Sequence, residues 1–213
     1  MAIPSRTLPD ASSYVSRGAL KLHAALAAWS IDPAGLVGAD LGCSTGGFSH
    51  CLIEHGASRV HAVDTAYGQL AWKLRSDERV TVHERTNALH AEPAQAVDLV
   101  VIDLGWTPQS RALPAAMRWL RADAGARIVT LIKPHYEADK SLLGPGGVLD
   151  DDDAERITGE VLADIPSLGL RVLETIESPV RGGAAGKRRK AGAGNREWLA
   201  LLARSNRPEP AGE

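Results

Sequence analysis

Cysteine is scarce in this chain of 213 residues. Cys43 and Cys51 are the only two, too few for a disulfide scaffold and in keeping with a reducing compartment. Long apolar runs are missing too: no stretch approaches the roughly 20 residues that a membrane-spanning helix needs. The start, Met1-Ala2-Ile3-Pro4-Ser5-Arg6, lacks the apolar core and cleavage pattern of a signal peptide. Together these absences predict a cytoplasmic protein without membrane partners. An excess of one charge is also lacking. The 24 Lys+Arg and 26 Asp+Glu leave a net charge of −2, which excludes a uniformly basic nucleic-acid binder but not a basic face. Lysine itself is rare, at 6 residues against 18 arginines. What remains is 44% hydrophobic, enough for the core of one domain.

The charge that is present is unevenly placed. Asp150 to Asp153 and Glu155 put five acids within six residues, and Asp152-x-x-Glu155 reads as a helix start, where carboxylates favour the positive end of the helix dipole. A basic group, Arg181, Lys187, Arg188, Arg189, Lys190 and Arg196, lies in a Gly/Ala-rich stretch without apolar periodicity. It reads as a loop, and both a solvated loop and a phosphate-contacting one fit it.

Strands and helices alternate along the chain. A helix is expected over 16–30, a strand over 36–41, a helix over 46–56, a strand over 59–64, a short helix through Leu70 to Leu74 and a strand at 80–83. The run 97–103 is almost continuously apolar, as in a central strand covered on both faces. A helix near 112–122, a strand at 127–132, a helix from about 152 and strands at 170–176 and 197–202 complete the series. The last two are joined only by the polar loop, so they should pair antiparallel. The expected fold is α/β: a doubly wound, Rossmann-like sheet, mostly parallel, with one antiparallel strand near the C-terminus. One domain is expected over 16–204, with loosely held ends at 1–15 and 205–213. Trp29, Trp72, Trp119 and Trp198 read as core residues.

The turn Asp40-Leu41-Gly42-Cys43-Ser44-Thr45-Gly46-Gly47-Phe48 joins the first strand to the next helix, where open α/β sheets bind ligands. The dinucleotide spacing G-x-G-x-x-G is absent. A tight pyrophosphate turn is therefore not provided, which favours S-adenosylmethionine (SAM), an adenosine without a pyrophosphate, over NAD. Asp64, ending the second strand, is placed to accept from ribose hydroxyls. Cys43 reads as a small tolerated side chain rather than a nucleophile. His50, Cys51 and His55 share one predicted helix but lack a fourth ligand, so they read as ordinary helix residues and no metal is expected.

Several segments together carry a resemblance: Tyr14 to Leu22, Asp40 to Phe48, Tyr67 to Arg75, Glu84 to Asn87, Asp98 to Asp103, Ile132 to Glu137, and Gly194 to Trp198. They resemble the FtsJ-like (RrmJ-type) ribose 2′-O-methyltransferases, and within them the TlyA branch of ribosomal-RNA methyltransferases and haemolysins. The resemblance places a Lys-Asp-Lys-Glu catalytic tetrad on Lys21, Asp103, Lys133 and Glu197. It implies a SAM site formed by Asp40, Gly42, Cys43, Ser44, Thr45, Gly46, Gly47, Phe48, Asp64 and Asp103, with Thr86 and Asn87 near the adenine. Members of the branch usually carry an N-terminal S4 RNA-binding domain, and with about 15 residues before the first motif the expectation here is a chain without one. The stretch after Asp103, Leu104-Gly105-Trp106-Thr107-Pro108, also departs from the branch's Ser-Phe pattern.

The chemistry suits the residue types. A ribose hydroxyl attacking a sulfonium methyl must lose its proton, so it needs a base or a cation beside the developing alkoxide. Lysine can serve either way, and arginine cannot be the base. Lys133 is expected to deprotonate or steer the 2′-hydroxyl, with Asp103 orienting it. Arg17, Trp106, Tyr136, Lys187, Arg188, Arg189 and Lys190 are candidate RNA contacts; Trp106 and Tyr136 could stack on bases or equally be buried as core or lid aromatics. The expected function is thus SAM-dependent 2′-O-methylation of RNA, ribosomal RNA in the first place. A methyltransferase for a small-molecule or nitrogen acceptor, and a non-catalytic SAM-binding ribosome-assembly factor, are the alternatives.

Overall fold

The computed structural model describes residues 10–182 and 194–205. Its helices are α1 (Gly18–Ala28), α2 (Gly47–Glu54), α3 (Trp72–Arg75), α4 (Gln109–Trp119), α5 (Pro134–Glu137) and α6 (Asp151–Asp164). The strands are β1 (Val37–Leu41), β2 (Arg59–Val63), β3 (Val80–His83), β4 (Leu99–Ile102), β5 (Arg127–Ile132), β6 (Leu170–Glu177) and β7 (Trp198–Arg204). They form one seven-stranded sheet in the order β3-β2-β1-β4-β5-β7-β6. β7 alone runs against its neighbours, antiparallel to both β5 and β6, as the sequence predicts. Its burial explains its place. Leu199 to Ala203 are all buried, whereas β6 alternates irregularly with exposed Arg171, Glu174 and Glu177. The apolar strand takes the interior and the polar one the edge.

Side chains alternate across the central strands. Leu99 and Val101 of β4, Val129 and Leu131 of β5, and Leu199 and Leu201 of β7 pack with Leu22 and Leu26 of α1 and with Phe48 and Leu52 of α2. Their neighbours Val100, Ile102, Ile128, Ile132 and Leu202 pack on the other face with Leu113 and Trp119 of α4. The chain winds outward from β1 through β2 to β3, then returns to place β4 on the other side of β1. That reversal opens a crevice beyond the carboxyl ends of β1 and β4.

Several boundaries and environments differ from expectation. α4 starts at Gln109 because Pro108 adopts the extended conformation that precedes a helix, and it stops where Leu120 turns extended to bridge Val97. The N-cap of α6 is Asp150, whose carboxylate accepts from Asp152 N, two residues ahead of the predicted start. Trp72 is 76% exposed rather than core: α3 is a single turn that buries only Leu74. Nor is the whole N-terminal segment loose. Tyr14 and Val15 pack on the core, and Val15 N donates to His50 Nδ1 at 3.1 Å. Lys187, Arg188, Arg189 and Lys190 lie outside the described residues. Among the described residues no helix is long and apolar enough to cross a membrane.

Candidate active site

Two cavities lie at the crevice. The first, of about 640 Å³, is walled by the turn after β1, the ends of β2 and β4, and the 86–89 segment. Gly42 makes this possible. Its φ is +91°, and a Cβ there would stand 2.9 Å from the Asp103 carbonyl, so only glycine lets the turn after β1 meet the end of β4. Gly46 does not reach the wall; it sits behind it against Leu70 and Leu74, and Thr45 O accepts from Ala71 N at 3.2 Å. The Tyr67–Arg75 block thus supports the glycine turn from beneath, and its Gln69 reaches the cavity. Sequence reasoning assigned no role to Gln69.

Three carboxylates line this cavity: Asp40, Asp64 and Asp103. Asp64 Oδ2 accepts from Ser44 N at 2.7 Å and Oδ1 from Ala66 N at 2.8 Å, which fixes the carboxylate and leaves lone pairs directed at a ligand. Asp40 is fully buried; its Oδ2 accepts from Ser49 N and Oγ, while Oδ1 has no partner among the described residues. Burial pushes its carboxyl up to about 7, against the pull of the Ser49 hydrogen bonds. Cys43, Ser44, Thr45, Gly47, Phe48, Thr86 and Asn87 all line the cavity as expected. The Cys43 thiol is pushed up by burial, away from nucleophilic use.

The second cavity, of about 750 Å³, is walled by Lys21, Asp103, Trp106, Lys133, Tyr136 and Glu197, among others. All four residues of the expected tetrad face it, and Asp103, Trp106 and Lys133 face both cavities. The four form two pairs. Lys133 Nζ lies 2.5 Å from Asp103 Oδ1 and donates to Leu104 O at 3.1 Å. Lys21 Nζ donates to Glu197 Oε2 at 2.5 Å in a buried setting. Burial raises the Glu197 carboxyl, opposed by Lys21 and then by Lys133.

The segment before β7 assembles this wall residue by residue. Asn195 Oδ1 accepts from Leu149 N at 2.8 Å, and its Nδ2 donates to Gly147 O. Arg196 bonds Glu177 and Glu155 and stacks 4.7 Å from the Trp198 ring. Gly182 bridges Asn195, and a Cβ on it would collide with the Glu197 carboxylate, which would have to shift from its place beside Lys21. Arg181 is held by Asp151 at 2.7 Å. The acidic block and the two ends of the basic stretch therefore meet each other.

Trp106 is 83% exposed, holds φ at +56°, and stacks 4.9 Å from Tyr136. A left-handed non-glycine residue at a cavity rim stores backbone strain there. Arg17 lines neither cavity and stands exposed before α1. Two contributors escaped the sequence. Glu137 Oε1 accepts from Gln109 N at 2.8 Å, tying α5 to the start of α4 from 28 residues away. His135 lines the second cavity, its Nδ1 buried without a partner among the described residues, and burial followed by Lys133 and Lys21 lowers it to about 4.

The family model for FtsJ-like methyltransferases matches residues 14–186. The chain belongs to the FtsJ-like methyltransferase family. It is 49% identical over 142 residues to the 16S/23S rRNA (cytidine-2′-O)-methyltransferase TlyA of Mycobacterium tuberculosis, covering 65% of this chain and 52% of that one. Hemolysin A of Brachyspira hyodysenteriae is 33% identical over 192 residues, covering 88% and 75%. Among solved structures, a Streptococcus thermophilus protein described as a hemolysin superposes with a TM-score of 0.82 at 34% identity, covering 96% of this chain and 70% of that one. The chain spans about half the length of the Mycobacterium relative. The fold is shared more widely: a solved S-adenosylmethionine dependent methyltransferase from Mesorhizobium loti superposes with a TM-score of 0.59 at 19% identity, covering 84% of this FtsJ-like chain and 95% of that one.

Proposed function

We propose that this FtsJ-like protein transfers a methyl group from SAM to a ribose 2′-hydroxyl of RNA, and of ribosomal RNA in particular. The observation that carries the proposal is the junction of the two cavities at Asp103 and Lys133, with Lys21 and Glu197 behind them. A donor and an acceptor held in adjoining cavities meet where a lysine–carboxylate pair can manage a proton.

The first cavity fits the donor. Its volume falls within the range of roughly 300–1,000 Å³ of small-ligand sites. Asp40 offers a buried, unpartnered oxygen suited to an ammonium, and Asp64 offers a fixed carboxylate suited to vicinal hydroxyls. Thr86 and Asn87 complete the wall where an adenine would lie. Bound there, SAM supplies an electrophilic methyl group on a sulfonium.

Lys133 does the work on the acceptor. An ammonium has three N–H donors; one faces Asp103 and one Leu104 O, which leaves the third for the acceptor oxygen. As the ammonium, Lys133 holds that oxygen in line and stabilises the charge developing on it while the hydroxyl proton passes to water in the open cavity; as the neutral amine, its own proton first lost to solvent, it accepts the hydroxyl proton itself. Asp103 fixes the Nζ position. The Lys21–Glu197 pair closes the polar floor of the second cavity. Trp106 and Tyr136 form an aromatic edge on which an unstacked base can rest.

The name of the Mycobacterium relative supports ribosomal RNA, with cytidine ribose as the first acceptor to test. We place the activity in residues 16–204 and in the cytoplasm. The decisive experiment follows labelled methyl transfer to naked ribosomal RNA and to each ribosomal subunit, then maps the product. Label on a ribose 2′-oxygen, lost in Lys133→Ala, is the expected result. Label on a base nitrogen, or full activity in Lys133→Ala, would overturn the mechanism. Tight SAM binding without transfer to any particle would instead support an assembly factor.

A further inference from the structure

The sequence puts Cys51 and His55 four residues apart, and α2 with its C-terminal turn therefore presents both on one face. The third residue that the fold brings to them is not His50. That side chain is occupied by Val15 N, Glu54 and Lys73. It is His23, from α1, which packs along α2. One ligand atom from each of His23, Cys51 and His55 lies within 4.8 Å of the other two, and they are the one such trio among the described residues.

We propose that His23, Cys51 and His55 form a binding site for a borderline-soft divalent ion, Zn²⁺, joining α1 to α2 on the side of the sheet away from α4. Tetrahedral zinc with bonds of roughly 2.0–2.3 Å sets its ligands roughly 3.3–3.8 Å apart. Cys51 Sγ and His55 Nδ1 already stand 3.8 Å apart, so small side-chain rotations close the trio. The surrounding hydrogen bonds suit the task. His55 Nδ1 also lies 2.8 Å from the Cys51 carbonyl, a hydrogen bond that rotation of the ring exchanges for the metal, Nδ1 then presenting its lone pair and Nε2 carrying the proton. Tyr14 OH stands 3.3 Å from His23 Nδ1. An outer partner of this kind orients metal-bound histidines. Cysteine with two histidines leaves a fourth position, which water or the Tyr14 oxygen can take. The half-buried rings of His23 and His55 give the ion a way in.

Such an ion would clamp the two helices that wall the first cavity, since Gly18 of α1 and Gly47 and Phe48 of α2 all line it. Its role is structural, and turnover does not require it.

The test uses tag-free protein stripped with chelator. Co²⁺ titration should give a thiolate-to-metal absorption band at one equivalent, and Zn²⁺ should displace it. Cys51→Ser should abolish the band, and His23→Gln and His55→Gln should each weaken Zn²⁺ binding at least tenfold. Zn²⁺ should raise the melting temperature of the wild type and leave that of the variants unchanged. Far-UV circular dichroism checks folding, and if Cys51→Ser does not fold, the two histidine variants decide. Absence of the thiolate band in wild type, or unchanged affinity in the histidine variants, would overturn the proposal.

Discussion

The two lysine–carboxylate pairs share a length of 2.5 Å and little else. In Lys21–Glu197 the side chains are 10% and 3% exposed; in Lys133–Asp103 they are 14% and 26% exposed. The first is locked between α1 and the start of β7, with a glycine opposite. The second stands at the junction of the cavities and still has a donor to offer. Under the proposed function, burial divides the four residues into a supporting pair and a working pair. Damage to each pair should show up in different measurements.

The largest effect is expected from Lys133→Ala. Methyl transfer should fall by about 10²–10⁴-fold, while the urea midpoint moves little because the partner left behind is open to water. Equal losses of activity and stability would erase the distinction between the pairs. Glu197→Gln should add a large loss of stability to a loss of activity. Breaking a buried pair leaves an uncompensated charge and costs about 3–5 kcal/mol, read by equilibrium unfolding. A double replacement, Lys21→Met with Glu197→Leu, should recover most of that stability without recovering activity. Recovery of both would make the buried pair packing alone.

Trp106→Ala probes the rim that the working pair serves. Loss of one stacked base costs about 1–3 kcal/mol, so RNA affinity should weaken by about 5–150-fold while SAM affinity is retained. The smallest effect concerns pH. Asp40 sits at about 7 in the free protein because it is buried, so below pH 7 it holds a proton. A ligand ammonium favours the carboxylate, and binding there must release that proton. Affinity for SAM should rise with pH, by up to about tenfold per unit below 7, and level off above it. Calorimetry between pH 6 and 8 measures this, and Asp40→Asn should flatten the curve.

Much of this site can be read from the chain because its residues sit in contiguous motifs at strand ends. Asp40 to Phe48, Asp103, and Lys133 each close a strand whose apolar run is plain in the sequence. The tetrad as a cluster is legible only through family resemblance, since Lys21 and Glu197 are 176 residues apart. What stays hidden depends on long-range packing. Nothing local tells that β7 slips between β5 and β6 rather than lying outside them. Glu137 reads as a helix residue until its carboxylate is seen on the first amide of α4. Trp72 looks like core by residue type, yet a one-turn helix has only one inner face. His23 has no motif at all; only the packing of α1 on α2 brings it to Cys51.

The interior position of β7 has a consequence for how the protein is made. It follows every other strand in the chain, yet it fills the gap between β5 and β6. Until residues 198–204 leave the ribosome, both of those strands present bare edges, a state prone to wrong pairing. The same residues carry Glu197 into place. The emergence of residues 198–204 is therefore one event that closes the sheet and completes the polar floor together, and a chain stopped at residue 196 should be insoluble as well as inactive.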